Sequence, residues 1–225
     1  MQEAEKQRYL SHLAVFADLS QDELAEVVPL VTIRCYGADR IFFMPPEQMG
    51  SVFFLLEGRV HLSRLTDCGK KLVVATLNPG SLFGEKALFG GGEPTVFAEA
   101  MTDCVVGVMQ RHVFHHLMCE YPLVAVRLAE ELTMRLERLE YTLVEMAFKS
   151  VPARLAYVLL SSAQQNGAGE EVRGLTHGDL SDMLGAYRET VTEALGEFKA
   201  QGVIAINRKR ITLLDRDRLE EFASR

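Results

Sequence analysis

The stretch with the plainest chemical logic is Tyr187-Arg188-Glu189-Thr190-Val191-Thr192-Glu193. A guanidinium at Arg188 can donate two parallel hydrogen bonds to guanine O6 and N7, and a carboxylate at Glu189 can accept from the cytosine amino group. Those two contacts read G·C pairs. Tyr187 and Thr192 flank them within one helical turn, and Arg208-Lys209-Arg210 further on supplies a run of cations suited to phosphate. An adjacent arginine and glutamate alone would be an ordinary solvated helix start. They gain meaning because Val191, Leu195 and Phe198 recur at helical spacing and give the same helix a buried face.

Other chemistries are poorly supplied. A cupin-type oxygenase needs an H-x-H pair with a glutamate and a later histidine on strands, and no H-x-H occurs. His112, His115 and His116 form H-x-x-H-H without a nearby carboxylate cluster to complete a metal site. The four cysteines, Cys35, Cys68, Cys104 and Cys119, lack C-x-x-C spacing and read as reduced, partly buried thiols. No flanking cation marks Cys68, Cys104 or Cys119 as a redox switch. His61 reads as a surface strand histidine and Cys68 as a turn cysteine rather than as haem ligands. No enzyme activity, metal or cofactor is therefore expected.

Charge is unevenly distributed. Residues 1–148 hold 13 basic and 20 acidic side chains and residues 149–225 hold 11 of each, so the whole net charge of −7 lies on the first part. A polyanion is tolerated only by the second part. No apolar run approaches the roughly 18 residues of a membrane span, and MQEAEKQRYL is too polar for a secretory signal. A cytoplasmic chain with no membrane partner is expected.

The elements that would position the readers follow from patterning. Ser20 with Glu23 marks a helix start in a short helical lead-in over residues 3–28. From Leu30 to Met109, eight short apolar or alternating runs separated by Gly, Pro and Asn predict a β sandwich or jelly roll. A short helix from Arg111 to Cys119 leads through Tyr121-Pro122 into a long one. In that long helix Ala125, Ala129, Leu132, Leu136, Leu139, Leu143 and Met146 alternate four and three residues apart, the a/d repeat of a two-chain seam. Glu130, Glu131, Arg135, Glu137, Arg138 and Glu140 would form its charged outer faces. A helix from Pro152, an exposed loop at Asn166–Gly174, a helix capped by Thr176 with Asp179, a turn at Gly185-Ala186-Tyr187, the reading helix and a basic-tipped hairpin complete a winged helix-turn-helix.

Residues 176–204, THGDLSDMLGAYRETVTEALGEFKAQGVI, closely resemble the helix-turn-helix of the cyclic-AMP receptor protein and FNR superfamily of bacterial transcription regulators. LNPGSLFGEKALF is similar to that family's effector-pocket segment, so the resemblance spans nearly the whole chain. It implies an α+β fold: a cyclic-nucleotide-binding-like jelly roll over residues 1–120, a dimerisation helix over 121–149 and a winged helix-turn-helix over 150–225. It also implies a homodimeric activator that binds a palindromic double-stranded operator and touches RNA polymerase, the loop 166–174 falling where related activators do so. The expected DNA contacts are Thr176, Tyr187, Arg188, Glu189, Thr192, Glu193, Lys199, Arg208, Lys209 and Arg210.

Departures from the family pattern shape the effector expectation. Gly84 and Glu85 stand where the family approaches a cyclic phosphate and ribose, yet Pro94-Thr95 replaces the Arg-Ser or Arg-Thr pair that neutralises the phosphate. A buried phosphate without its cation is costly. Leu139-Glu140 replaces the Thr-Ser that meets adenine. Cyclic AMP is thus disfavoured, the pocket is read as vestigial, and the chain looks more like effector-independent members from heat- and radiation-tolerant bacteria. The rival is a regulator whose DNA affinity depends on cyclic AMP or another small effector. No cysteine cluster precedes Cys35, which excludes an FNR-type iron-sulfur sensor. Glu193 occupies the place of a further base-reading arginine in many members.

Overall fold

The computed structural model describes residues 3–89, 92–165, 170–208 and 210–224. Two short helices open the chain, α1 (Glu3–Leu10) and α2 (Gln21–Val27). Ser20 and Glu23 close the expected box: the Ser20 hydroxyl accepts from the Glu23 N–H at 3.3 Å and Glu23 Oε2 accepts from the Ser20 N–H at 2.7 Å. Eight strands follow: β1 (Thr32–Tyr36), β2 (Ile41–Phe43), β3 (Ser51–Glu57), β4 (Val60–Leu65), β5 (Lys71–Leu77), β6 (Leu82–Phe83), β7 (Phe97–Ala100) and β8 (Cys104–Gln110). They form two four-stranded sheets, ordered β1-β8-β3-β6 and β2-β7-β4-β5.

Alternation along these strands turns one set of side chains into a shared core. Phe53 and Phe83 stack at 5.1 Å, and Phe42 meets Phe83 edge-on at 5.2 Å. Phe54 contacts Phe16 of the lead-in at 5.3 Å and Phe114 of the next helix at 5.9 Å, tying both to the sheet. His61, expected at a strand surface, is instead buried, because β4 is covered on both sides from Val60 to Ser63. The thiols also differ from expectation: Cys104 alone is buried, while Cys35, Cys68 and Cys119 are exposed.

Helices α3 (Arg111–Glu120), α4 (Pro122–Phe148) and α5 (Val151–Gln165) come next. Then follow β9 (Glu171–Arg173), α6 (His177–Leu184), α7 (Arg188–Ala200), β10 (Ile204–Asn207), β11 (Arg210–Leu213) and α8 (Arg216–Ala223). The part of the expected 166–174 loop that lies within the described residues is not all loop. Glu171–Arg173 adds an edge strand to the hairpin, in the order β10-β11-β9, because Val172 finds a buried place opposite Ile211.

Internal contacts divide the chain into two compact units: residues up to Leu65 with Val74–Leu139, and Thr66–Val73 with Glu140 onward. In the second, Leu155, Leu159, Leu180, Leu184, Val191, Leu195 and Phe198 form one core. Phe198 is fully buried and lies 4.9 Å from the Phe222 ring. Replacing Phe198 with alanine should therefore cost about 3–5 kcal/mol of unfolding free energy. Urea denaturation followed on the second unit checks this, and a loss below about 1 kcal/mol would mean that the core around α7 collapses into the gap.

Candidate nucleic-acid interface and effector pocket

The reading end is held by local rules. The Thr176 hydroxyl accepts from the Asp179 N–H at 3.2 Å, and Asp179 Oδ2 accepts from the Thr176 N–H at 2.7 Å, a complete capping box at the start of α6. The same hydroxyl donates to Asp179 Oδ2 at 2.8 Å, adding a third bond to the cap. At the other end Gly185 takes φ +59, the left-handed conformation that glycine adopts without strain. Arg154 Nη1 donates to the Leu184 carbonyl at 2.7 Å, which fixes where α6 stops and the turn begins.

Tyr187 is the N-cap residue of α7, and Val191, Ala194, Leu195 and Phe198 form its buried face. Tyr187, Arg188, Glu189, Thr192 and Glu193 are all exposed. Arg188 and Thr192 are one turn apart in one row, and Glu189 and Glu193 make the adjacent row. The Tyr187 ring carries the Lys70 ammonium 3.8 Å above its centroid. Lys199 does not join this group, since it stands in the last turn of α7, about 16 Å along the axis from Arg188.

In the wing, Arg208 is exposed and Lys209 lies outside the described residues. Arg210 is drawn toward Glu171 on β9 at 3.6 Å. Glu171 is held below the usual carboxylate range first by the Arg173 guanidinium, whose Nε donates to it at 2.8 Å. Sequence reading missed His177, whose Nδ1 lies 3.0 Å from Thr192 Oγ1 across the two helices.

The pocket segment holds the larger correction. Gly84 has φ +82, and a Cβ there would stand 3.0 Å from Met49 Cε and Phe53 Cδ2, so any other residue would be strained. Pro94 is buried, Thr95 is exposed, and Leu139 and Glu140 are exposed on α4. Yet the segment does not lack a cation. Arg135, expected on a charged outer face, turns inward with its side chain 15% exposed. It donates from Nη1 to Glu85 Oε2 at 3.3 Å and from Nη2 to the Leu82 carbonyl at 2.6 Å. Glu131, one turn earlier, joins Arg135 at 3.3 Å and accepts from the Leu82 N–H at 2.9 Å. Both were expected to be solvated; they sit one residue from the seam positions and face the sheets beside Val124 and Leu128.

Burial pushes the Glu131 carboxyl up, against the opposing pull of the Leu82 N–H and Arg135. The Cys68 thiol is drawn below its ordinary value chiefly by the Thr66 hydroxyl, 3.0 Å away, and burial raises Cys104. A separate cavity of about 320 Å³ is lined by Phe89, His115, Met118, Cys119 and Leu128 together with the seam residues Ala125, Ala129 and Leu132. His115 stands 4.0 Å from Cys119, and His116 pairs with Glu120 at 4.0 Å. Among the described residues, no group of three or more His, Cys, Asp or Glu is close enough to hold a metal, and no helix is long and apolar enough to cross a membrane.

A β-rich pocket domain followed by a helix-turn-helix with a wing defines a DNA-binding transcription regulator. Comparison with known proteins bears this out: residues 33–121 match the cyclic nucleotide-binding domain and residues 153–222 the Crp-like helix-turn-helix domain. The chain belongs to the CRP/FNR family of transcription regulators. It is 32% identical to the transcriptional regulator SdrP of Thermus thermophilus over 79% of this chain and 86% of that one. It is 26% identical to the CRP-like cAMP-activated global transcriptional regulator of Mycobacterium tuberculosis, over 95% of this chain and 98% of that protein. A crystal structure of a CRP/FNR-family regulator from Thermus thermophilus superposes with a TM-score of 0.75 at 28% identity, covering 86% of this chain and 99% of that one.

The Glu131 shift sets a test. A carboxyl whose folded value is raised contributes stability at acid pH, and loses that contribution as pH rises through the raised value. Glu131→Gln removes the titration while keeping an oxygen for the Leu82 N–H. The variant should be at least as stable as the parent near pH 7, with its advantage growing as pH rises from the ordinary carboxylate range through the raised value. Arg135→Ala, which strands Glu85, Glu131 and the Leu82 carbonyl, should cost about 2–3 kcal/mol, discounted from a fully buried pair for its partial exposure. Urea unfolding across pH reads both, and a Glu131→Gln curve parallel to the parent would refute the burial argument.

Proposed function

We propose that the chain works as a homodimer that reads a palindromic operator and activates transcription without requiring cyclic AMP. The observation that carries this reading is the unpartnered apolar row on α4, where Leu136, Leu139 and Leu143 are 56%, 38% and 68% exposed. Such a row at 3.5-residue spacing calls for a second helix of the same kind. The cavity edged by Ala125, Ala129 and Leu132 continues the row toward α3, and the short side chains there leave room for a partner's knobs. Residues 121–149 are taken as the dimerisation helix, with 1–120 and 150–225 as the effector and reading domains. A two-fold pair would present two α7 helices about one DNA turn, roughly 34 Å, apart.

In each half-site Arg188 and Glu189 read G·C pairs, Tyr187 and Thr192 support them, and Arg208 and Arg210 meet phosphates. Glu193 relaxes or alters the position that an arginine reads in other members. The segment 166–174 is offered to RNA polymerase, and the protein acts where the DNA is, in the cytoplasm.

What supports effector independence is the commitment of Glu85 to Arg135. A cyclic nucleotide would find one oxygen of that carboxylate already engaged by Arg135 and would have to share the group with it. The same observation favours one second reading, in which Arg135 swings to the phosphate and supplies the cation absent from Pro94-Thr95. The two separate in one experiment, selection from a randomised palindrome pool with and without cyclic AMP at fixed salt. Selective binding without nucleotide and no gain on adding it is expected; binding only with nucleotide favours the Arg135 alternative.

Two variants extend this. Glu193→Arg should tighten binding and sharpen preference at one position of the half-site, and an unchanged selected profile would sink the Glu193 assignment. Leu143→Glu should convert dimer to monomer in sedimentation and abolish operator binding while leaving each unit folded; a dimer that persists would remove α4 as the seam.

A further inference from the structure

Thr192 stands in the same exposed row of α7 as Arg188. Its hydroxyl owns one hydrogen, which goes to the Arg188 carbonyl 2.8 Å away. The half-buried imidazole of His177, the first residue of α6, reaches the same oxygen through Nδ1 at 3.0 Å. With that hydrogen on the carbonyl, Nδ1 carries the proton and donates. This bond fixes the tautomer, and with it what the other ring nitrogen can offer. In the neutral ring Nε2 is a bare lone pair; only the imidazolium has an N–H there.

A phosphate oxygen meeting the neutral ring at Nε2 would face lone pair against lone pair. The imidazolium would meet it with a charge-assisted hydrogen bond. We propose that His177 is a phosphate contact of the reading domain and that it engages DNA as the imidazolium, so that operator binding takes up a proton at each half-site. The inference rests on the reading of α7 as the groove helix.

The charged groups around this position come from both helices. On α6, Asp179 has Oδ2 bonded to the Thr176 N–H and hydroxyl, and Asp182 lies further along. On α7 stand Arg188, Glu189 and Glu193, and Lys70 sits over the Tyr187 ring. All of these are present with or without DNA. The charges that arrive on binding are phosphates, and so a phosphate at Nε2 is what drives proton uptake.

The test uses the full-length protein and a duplex recovered from the palindrome pool with the wild type, titrated from pH ~6 to ~8 at constant salt, where a singly coupled group changes affinity by at most about tenfold per pH unit per half-site. His177→Gln keeps a polar reach but cannot titrate. Other ionisable groups are common to both proteins, so the difference in slope is the quantity read. Wild-type affinity should rise as pH falls, His177→Gln should lose that part of the rise, and near pH 6 the wild-type salt slope should exceed that of the variant by about 0.9 per half-site. A purely structural strut would instead weaken binding equally at every pH. Equal slopes in the two proteins, or pH-independent binding by the wild type, overturn the assignment while leaving α7 as the reader. If the wild type selects no sequence at all, the groove-helix reading falls and this one falls with it.

Discussion

The structure depends on a 27-residue helix that carries two stripes side by side. Val124, Leu128, Glu131 and Arg135 form one, spaced four, three and four residues apart, and it faces the sheets of the first unit. The other begins one residue later, at Ala125, Ala129, Leu132 and Leu136, and runs on to Met146. Each leucine of the second stripe left in water forgoes roughly 1.5–3 kcal/mol of burial. A helix in this condition is incomplete until something covers it, and its 3.5-residue period favours another helix over a sheet.

The polar half of the first stripe has a different consequence. Past Leu128 this stripe delivers Glu131 and Arg135, which meet the backbone of Leu82 and the carboxylate of Glu85. A carboxylate and a guanidinium placed there must satisfy one another, and Glu131 Oε2 still finds no partner among the described residues. Such a network does more for specificity of docking than for net stability. It ties the helix to β6 through both backbone groups of Leu82 and engages one oxygen of Glu85.

Much of this was legible in the sequence, and the failures share a cause. Strand runs, the Ser20 and Thr176 caps, the Gly185 turn and the buried face of α7 are all set by neighbours within a few residues, where periodicity and turn chemistry act. Arg135 was misplaced because heptad reading assigns faces relative to one seam, and its partners Leu82 and Glu85 lie some fifty residues away. His61 was misplaced because alternation cannot tell that β4 is covered on both sides. The strand at Glu171–Arg173 was hidden by a polar, glycine-rich context and exists because β11 offers it an edge. His177 gave no signal, since only the packing of α6 on α7 brings it to Thr192.

The electrostatics explain what kind of reader this arrangement favours. Residues 149–225 are neutral overall and residues 1–148 are acidic, so the chain has little general attraction for a polyanion. Within the wing, Glu171 engages both Arg173 and Arg210, which lowers the phosphate-seeking charge further. Non-specific affinity scales with the number of phosphates neutralised, so it is kept small here. On the proposed reading, discrimination would rest on base-edge contacts by Arg188 and Glu189, each good bidentate pair being worth about 1–3 kcal/mol against the wrong base. A regulator built this way gives up grip on random DNA and on its operator alike, so a larger share of its operator affinity has to come from base-edge contacts.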